Sequence, residues 1–319
     1  TGNGALACLL AGFDAQAVLI PEPFGPTLLT DQVGVLWFKI RIKGRPSHVQ
    51  AAPAGTNAIE KSFVLIQALR ELEEQLNQEN VPSAYTQHFH PLNFNPGMLS
   101  GGDWPSTVPA WCELHCRLSF FPDMAYSQIQ DRVKRTVLEA AEKDPWLQAN
   151  LPQVDFYGFR SEGHSVPLDL PALQLLSSRH QALTGEQAAR YISTCTTDLR
   201  AFCLYGQGQA TCFGPLAENI HAANERVRLD SVLHTARAYA LFMAREVAIV
   251  GYLRSPQSRS RPKDPERDDL GPIRADELLA RVIQALLDKT GTDPHTLDGF
   301  VVGSAFGVSE NWTYGGRTP

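Results

Sequence analysis

Apolar and polar residues alternate from Gly34 to Lys43, where Val35, Trp37, Ile40 and Ile42 interleave with Lys39, Arg41 and Lys43. A period of two with charges on the intervening positions predicts an amphipathic strand. Gly44-Arg45-Pro46 ends it, and after a loop Gly55-Thr56-Asn57 introduces a helix of about 20 residues through Ala58, Ile59, Phe63, Ile66, Leu69 and Leu72. Residues 77–91 are polar and read as loop. Strands are expected around Leu92–Ser100 and Val108–Phe120, a helix from about Tyr126 to Lys143, and a strand near Val154–Phe159. Strand, helix, strand, strand, helix, strand is the split βαβ order, one sheet covered by two helices, spanning about 33–159.

The flanking segments have another rhythm. Upstream, Asn3 is placed to cap a helix, and Ala17-Val18-Leu19-Ile20 reads as a short buried strand stopped by Pro21-Glu22-Pro23. Downstream come a helix near 169–183, a strand at Arg190–Ile192, a helix capped by Cys195-Thr-Thr-Asp198 and running through Leu204, and a strand at Ala210–Phe213. Gly214-Pro215 breaks that strand, a loop holds His221, and a helix runs from Leu229 to about Arg245. Helices alternating with short buried strands predict a sheet with helices on its faces. The last stretch starts afresh with a strand at Glu246–Tyr252, an exposed loop over Ser255–Asp269, an amphipathic helix at Asp276–Lys289 and a strand at Phe300–Gly303. It reads as a piece of a domain. Thr1 is not an initiator Met and the first residues open as if a turn fed a helix in progress, so the chain is expected to start mid-motif.

Composition narrows the class. The chain has 319 residues, 43% hydrophobic and 19% charged, which excludes a wholly disordered, collagen-like or coiled-coil chain and allows about two domains. A formal net charge of −6 argues against nucleic acid as a partner. No apolar run approaches the roughly 18 residues a spanning helix needs, so no membrane segment is expected. Cys8, Cys112, Cys116, Cys195, Cys203 and Cys212 form no CxxC pair or regular framework, and no signal peptide is recognisable. They are expected to be reduced thiols in a cytoplasmic protein.

Several positions carry candidate chemistry. Glu22, held between prolines at a strand end, suits a metal ligand at the carboxyl end of a sheet, or an ordinary loop carboxylate. His221 sits in a polar loop and offers a neutral imidazole to zinc, or is simply solvated. His48, in Gly44-Arg-Pro-Ser-His-Val49, has the chemistry to donate a hydrogen bond to a developing oxyanion, or caps a turn. Asp198-Leu-Arg200 at a helix start offers a cation to a substrate carboxylate, or a first-turn acid beside a surface Arg. His88-Phe-His90 has strand-pair spacing but falls in a loop without a third ligand.

Taken in order, these pieces resemble the M20 metallopeptidases. Thr1-Gly-Asn-Gly-Ala-Leu-Ala-Cys, the Ile-Pro-Glu-Pro of 20–23, and Gly34–Lys61 with its Gly-Arg-Pro-Ser-His-Val and Gly-Thr-Asn-Ala-Ile-Glu-Lys are similar to that family. So are Asn95–Asp103, Val108-Pro-Ala-Trp-Cys-Glu-Leu114 and Asn219–Val227. The nearest branch is the acetylornithine deacetylase/succinyl-diaminopimelate desuccinylase group, and the likeness covers about 1–243.

The resemblance implies an α/β zinc-peptidase catalytic domain in two parts, 1–32 and 160–243. A ferredoxin-like α+β lid and dimerisation domain, 33–159, is inserted between them. It implies two Zn2+ per complete site, with Co2+ as an alternative, and hydrolysis of a small N-acyl amino acid or related amide. Glu22 is then a terminal ligand of one zinc and His221 of the other. His48 polarises the carbonyl from the partner subunit of a homodimer, and Arg200, Ser106 and Asn95 bind substrate. Ser106 stands where many relatives have Asn, and Ser119 where many have a substrate-binding Arg, with Arg117 two residues earlier. The family's remaining metal ligands precede the point where this chain begins, so the chain alone is expected to be inactive. Residues 244–319 resemble the start of a thiolase, as a partial α/β tail lacking any Cys beyond Cys212. Two other readings stay open: a non-catalytic dimerising fragment, and a thiolase-type acyltransferase fragment.

Overall fold

The computed structural model describes residues 3–206, 209–244, 273, 275–296 and 299–301. In chain order, α1 (Asn3–Leu10) leads to β1 (Ala17–Ile20), β2 (Leu28–Gln32) and β3 (Gly34–Lys43). Then follow α2 (Ala58–Gln78), β4 (Phe94–Gly101), β5 (Trp111–Phe120), α3 (Tyr126–Glu142), α4 (Pro145–Ala149) and β6 (Gln153–Ser161). After β7 (His164–Ser165) come α5 (Pro171–Thr184), β8 (Arg190–Ser193), α6 (Leu199–Tyr205), β9 (Ala210–Cys212), β10 (Ala217–Glu218) and β11 (Arg226–Val227). The described part closes with α7 (Leu229–Met243), α8 (Ala275–Thr290) and β12 (Gly299–Val301).

The chain divides into two compact units, one of Thr1–Thr30, Val166–Tyr191 and Thr197–Pro319 as far as described, the other of Asp31–Ser165 with Ile192–Thr196. In the second unit four strands form an antiparallel sheet in the order β4-β5-β3-β6. β3 and β5 pair over their full length, from Gly34↔Phe120 to Lys43↔Trp111. The alternation along β3 has a direct cause: Phe38, Ile40 and Ile42 are buried while Arg41 and Lys43 are exposed. Facing them, α2 contributes Leu65, Leu69 and Leu72 and α3 contributes Ile129, Val133 and Val137 to one core. Each fully buried side chain of this kind contributes on the order of 1.5–3 kcal/mol. Gly34 is required where it is, because a Cβ there would lie 2.4 Å from the buried Phe120 ring. Asn57 caps α2, its Oδ1 accepting the N–H groups of Ile59 and Glu60.

In the first unit β1 lies between β12 and β9, parallel to both, with Val18↔Ala210 and Val18↔Phe300 in register. All four residues of β1 are buried. Val18 and Ile20 join a cluster with Leu199 and Phe202 of α6, whereas Leu19 joins Leu173 and Leu176 of α5 and Ala238 and Tyr239 of α7. Helices therefore cover both faces of this strand, the arrangement that a continuous apolar run in a parallel sheet needs.

Several expectations shift. The strand expected from Val108 begins at Trp111, because the Val108 N–H donates to Ser47 O outside the sheet. Within the capping segment Cys195–Asp198 it is Thr197 whose Oγ1 accepts the Leu199 N–H, while Asp198, at the N-cap position, makes no side-chain cap bond. The helix at Asp276–Lys289 is present as α8. The strand at Glu246–Tyr252 and the loop at Ser255–Asp269 lie outside the described residues. Among the described residues no helix is long and apolar enough to cross a membrane.

Candidate functional site

Glu22 follows β1 directly, at the carboxyl end of the parallel sheet. Its N–H donates to Ile20 O, and the Phe24 N–H donates to Glu22 O, so the prolines flanking it enforce a tight, ordered turn. Phe24 stacks on Tyr191 with ring centroids 5.2 Å apart, fixing the far side. Gly214, two residues past β9, packs so closely that a Cβ would stand 2.0 Å from Glu22 O. The carboxyl group is half-buried, and burial first, then the nearby Asp198 charge, pushes its pKa from 4.5 to about 7.

Asp198 was legible in sequence only as a first-turn acid; its facing of Glu22 was not. Its Oδ1 accepts no hydrogen bond among the described residues, and Arg200 Nη1 lies 3.9 Å away. Arg200 is not a surface cation. Its side chain is 13% exposed and Nη1 donates to Thr197 O at 3.2 Å, and burial lowers its pKa against the opposing pull of Asp198. Glu22, Asp198 and Arg200 thus share one polar neighbourhood at the sheet end, with two acids and one cation.

The segment that carries His221 leaves the sheet at the same end. β9 continues past Gly214 to the Phe24↔Leu216 bridge, then to the β10–β11 hairpin, paired Ala217↔Val227 and Glu218↔Arg226. His221 lies in the loop of that hairpin, exposed, with φ 62°, between Asn219 at 55° and Asn224 at 60°. Its N–H donates to Glu225 Oε1 at 3.3 Å. Left-handed backbone at a non-glycine residue is uncommon, although Asn and His tolerate it better than most. Among the described residues no group of three His, Cys, Asp or Glu side chains is placed to hold a metal ion. A catalytic zinc takes three protein ligands, so the described residues do not by themselves make a complete metal site.

In the second unit His48 and Ser106 come together. His48 bridges Thr107, the Val49 N–H donates to Ser106 O, and the Val108 N–H donates to Ser47 O. His48 does cap a turn: its Nδ1 accepts the Gln50 N–H at 3.1 Å at the start of the 3-10 helix Val49–Ala54. Because a backbone N–H can only donate, the neutral ring must carry its proton on Nε2. Capping therefore leaves His48 as an exposed N–H donor. Asn95 is exposed on β4, opposite Arg117 of β5. Arg117 Nη1 donates to Asn93 Oδ1, and Ser119 is fully buried with Oγ accepting the Asn93 N–H at 2.7 Å. Ser119 is thus a structural hydroxyl here. His88 and His90 stay in a loop, His90 Nε2 lying 3.4 Å from the buried Glu73.

Residues 30–145 match the model of an M20-type peptidase dimerisation domain. Over 260 residues the chain is 27% identical to an N-formyl-4-amino-5-aminomethyl-2-methylpyrimidine deformylase of Halalkalibacterium halodurans, covering 75% of this chain and 60% of that protein. Over 128 residues it is 26% identical to an acetylornithine deacetylase of Pasteurella multocida, covering 40% of this chain and 33% of the relative. A tripeptidase from Staphylococcus aureus shares the fold with a TM-score of 0.53 at 16% identity, over 69% of this chain and 53% of that one. The dipeptidase Dug1p of Saccharomyces cerevisiae does so with 0.54 at 10% identity, over 71% and 58%. The chain spans less than two thirds of the length of each of these proteins.

Proposed function

We propose that this chain is part of an M20-type amide hydrolase that deacylates a small N-acyl amino compound, releasing a carboxylate and an amine. One observation carries the reading: Glu22 at the carboxyl end of β1 is an acid raised to about 7 by burial and by a second carboxylate, which is the environment a bound cation would relieve. In this reading Glu22 and His221 each end the ligand set of one Zn2+, with Co2+ as a substitute, and the other ligands come from residues outside the described set. The metal pair, when bound, supplies an activated water and polarises the carbonyl. The chain's own residues do the rest. Through the homodimer, His48 offers its Nε2–H as a hydrogen-bond donor to the carbonyl oxygen in the partner subunit's site, where negative charge develops. Arg200 holds a substrate carboxylate, and Ser106 and Asn95 lie on the lid surface that receives the substrate.

Two relatives support different amines, an N-acylated ornithine and an N-formylated aminomethylpyrimidine, so both belong to the reading. The dimerisation-domain match supports a homodimer through the lid. β4 is an edge strand, and Met98 and Leu99 on it are 61% and 42% exposed, with Phe63 of the adjoining α2 58% exposed. A second copy of this face would cover that apolar edge.

A chimera tests the function. The part of the Halalkalibacterium deformylase lying outside the matched segment is fused to this chain, and hydrolysis of N-formyl and N-acetyl substrates is followed with and without zinc. The reading predicts zinc-dependent turnover that Glu22→Gln or His221→Ala abolishes, and none from this chain alone. Turnover indifferent to both substitutions, or full activity of the unfused chain in the presence of chelator, would overturn it.

A further inference from the structure

In the first unit, the two helices that cover one face of β1 hold a pair of histidines against each other. His180 of α5 and His234 of α7 bring Nδ1 and Nε2 to 2.9 Å, with their ring planes perpendicular. Both rings lean on Phe213, His180 edge-on at a centroid distance of 5.6 Å and His234 at 6.3 Å. Phe213 is fully buried and its carbonyl accepts the Tyr239 hydroxyl proton, so the wall behind the pair is fixed. His180 is 7% exposed, whereas His234 is half-buried and leaves the pair one side open to solvent.

The fold gains little from this arrangement. A single hydrogen bond joins two imidazoles that both give up water to make it, and an apolar pair would fill the α5–α7 seam without that cost. Burial lowers the pKa of both rings. Their mutual repulsion and the Arg237 cation act in the same direction, and the Glu186 carboxylate opposes them at His180. At neutral pH both imidazoles are therefore uncharged, the form that ligates copper, nickel and zinc. The spacing chooses among these ions. Nitrogens 2.9 Å apart, each about 2.0–2.1 Å from a shared ion, subtend about 90° there. That is the angle between neighbouring ligands in a tetragonal Cu2+ or Ni2+ complex, whereas tetrahedral Zn2+ needs the nitrogens about 3.3 Å apart.

We propose that His180 and His234 form a transition-metal site that clasps α5 to α7 and takes Cu2+ or Ni2+ in preference to Zn2+. Among the described residues no third His, Cys, Asp or Glu completes the set, so water fills the remaining positions. One ring now supplies the proton of the N–H···N contact. On binding, that proton moves to the other nitrogen of the same ring, so each imidazole stays neutral, lends one lone pair, and no net proton is released. The site stands whether or not the chain hydrolyses an amide.

Untagged protein titrated with Cu2+ and followed by electron paramagnetic resonance tests this, alongside thermal midpoints in Ni2+ and in Zn2+. The parent should take up one Cu2+ whose spectrum carries splitting from two imidazole nitrogens, and Ni2+ should raise the midpoint more than equimolar Zn2+. His234→Asn should lose the two-nitrogen signal and weaken binding at least about tenfold, while His221→Ala should change neither. No Cu2+ uptake by the parent would leave the pair a hydrogen bond only and overturn the proposal. The same two-nitrogen spectrum in His234→Asn would do so as well, since it would show adventitious binding at other histidines only. Zn2+ raising the midpoint as much as Ni2+ would overturn the preference read from the 2.9 Å spacing.

Discussion

Replacing Glu22 by Gln should make the metal-free protein more stable at pH 8, not less. The acid's folded pKa is raised from 4.5 to about 7 by burial and by Asp198. Below pH 4.5 the group is protonated in folded and unfolded chains alike. Between 4.5 and 7 the unfolded chain releases its proton while the folded chain keeps it, so stability falls as pH rises through this window. Above 7 both are ionised and the loss is complete. At about 1.36 kcal/mol per pH unit, the loss amounts to at most about 3 kcal/mol. Gln has nearly the same shape and no charge, so the variant should lack this slope, matching the parent near pH 4 and exceeding it near pH 8. Urea unfolding of the first unit from pH 4 to 8 in the presence of chelator measures it. Parallel curves for the two proteins, or a less stable variant at pH 8, would refute the argument that Glu22 is a desolvated acid awaiting a cation.

Other outcomes follow from the second unit. Gly34→Ala places a Cβ 2.4 Å from the Phe120 ring and should cost about 1–3 kcal/mol by overpacking, read from the unfolding midpoint. Glu73, 4% exposed, accepts the Phe94 N–H at 2.7 Å and an Arg70 bond at 2.9 Å. Glu73→Ala leaves a buried donor unpaired and should cost about 2 kcal/mol, checked in the same assay. Leu99→Lys puts a charge on the β4 edge and should convert a dimer to a monomer in sedimentation without moving the thermal midpoint of the second unit by more than a few degrees.

The lid sheet was readable because one of its faces is solvated: period-two alternation in β3 and the Asn57 cap before α2 are local signals with local causes. β2 was not, since Leu28-Leu-Thr-Asp-Gln32 is buried throughout and alternates nowhere. The 3-10 helix at Val49–Ala54 was likewise hidden, with Pro53 inside it and no buried residue to set a period. Glu22 and His221 stood out singly as residue types, and the β1–β9 pairing with the Phe24↔Leu216 bridge, which links the segments on which they lie, joins stretches far apart in sequence. Asp198 illustrates the limit best. Its role depends on which carboxylate the β1–β9 pairing brings beside it, and nothing within its own helix start reports that. Two local details were equally invisible in the spacing: Arg200 Nη1 donates to Thr197 O, and Ser119 Oγ accepts the Asn93 N–H inside the lid.

The coordination claim has one decisive experiment. Crystals of the chimera that supplies the missing ligands, grown in millimolar zinc, with anomalous difference maps recorded at the zinc edge, locate the metal directly. The account predicts zinc density at about 2.0–2.2 Å from the Glu22 carboxylate and from the His221 imidazole, at two positions about 3.5–4 Å apart. Zinc seated only on other residues, or on these two at unconnected positions, would contradict it.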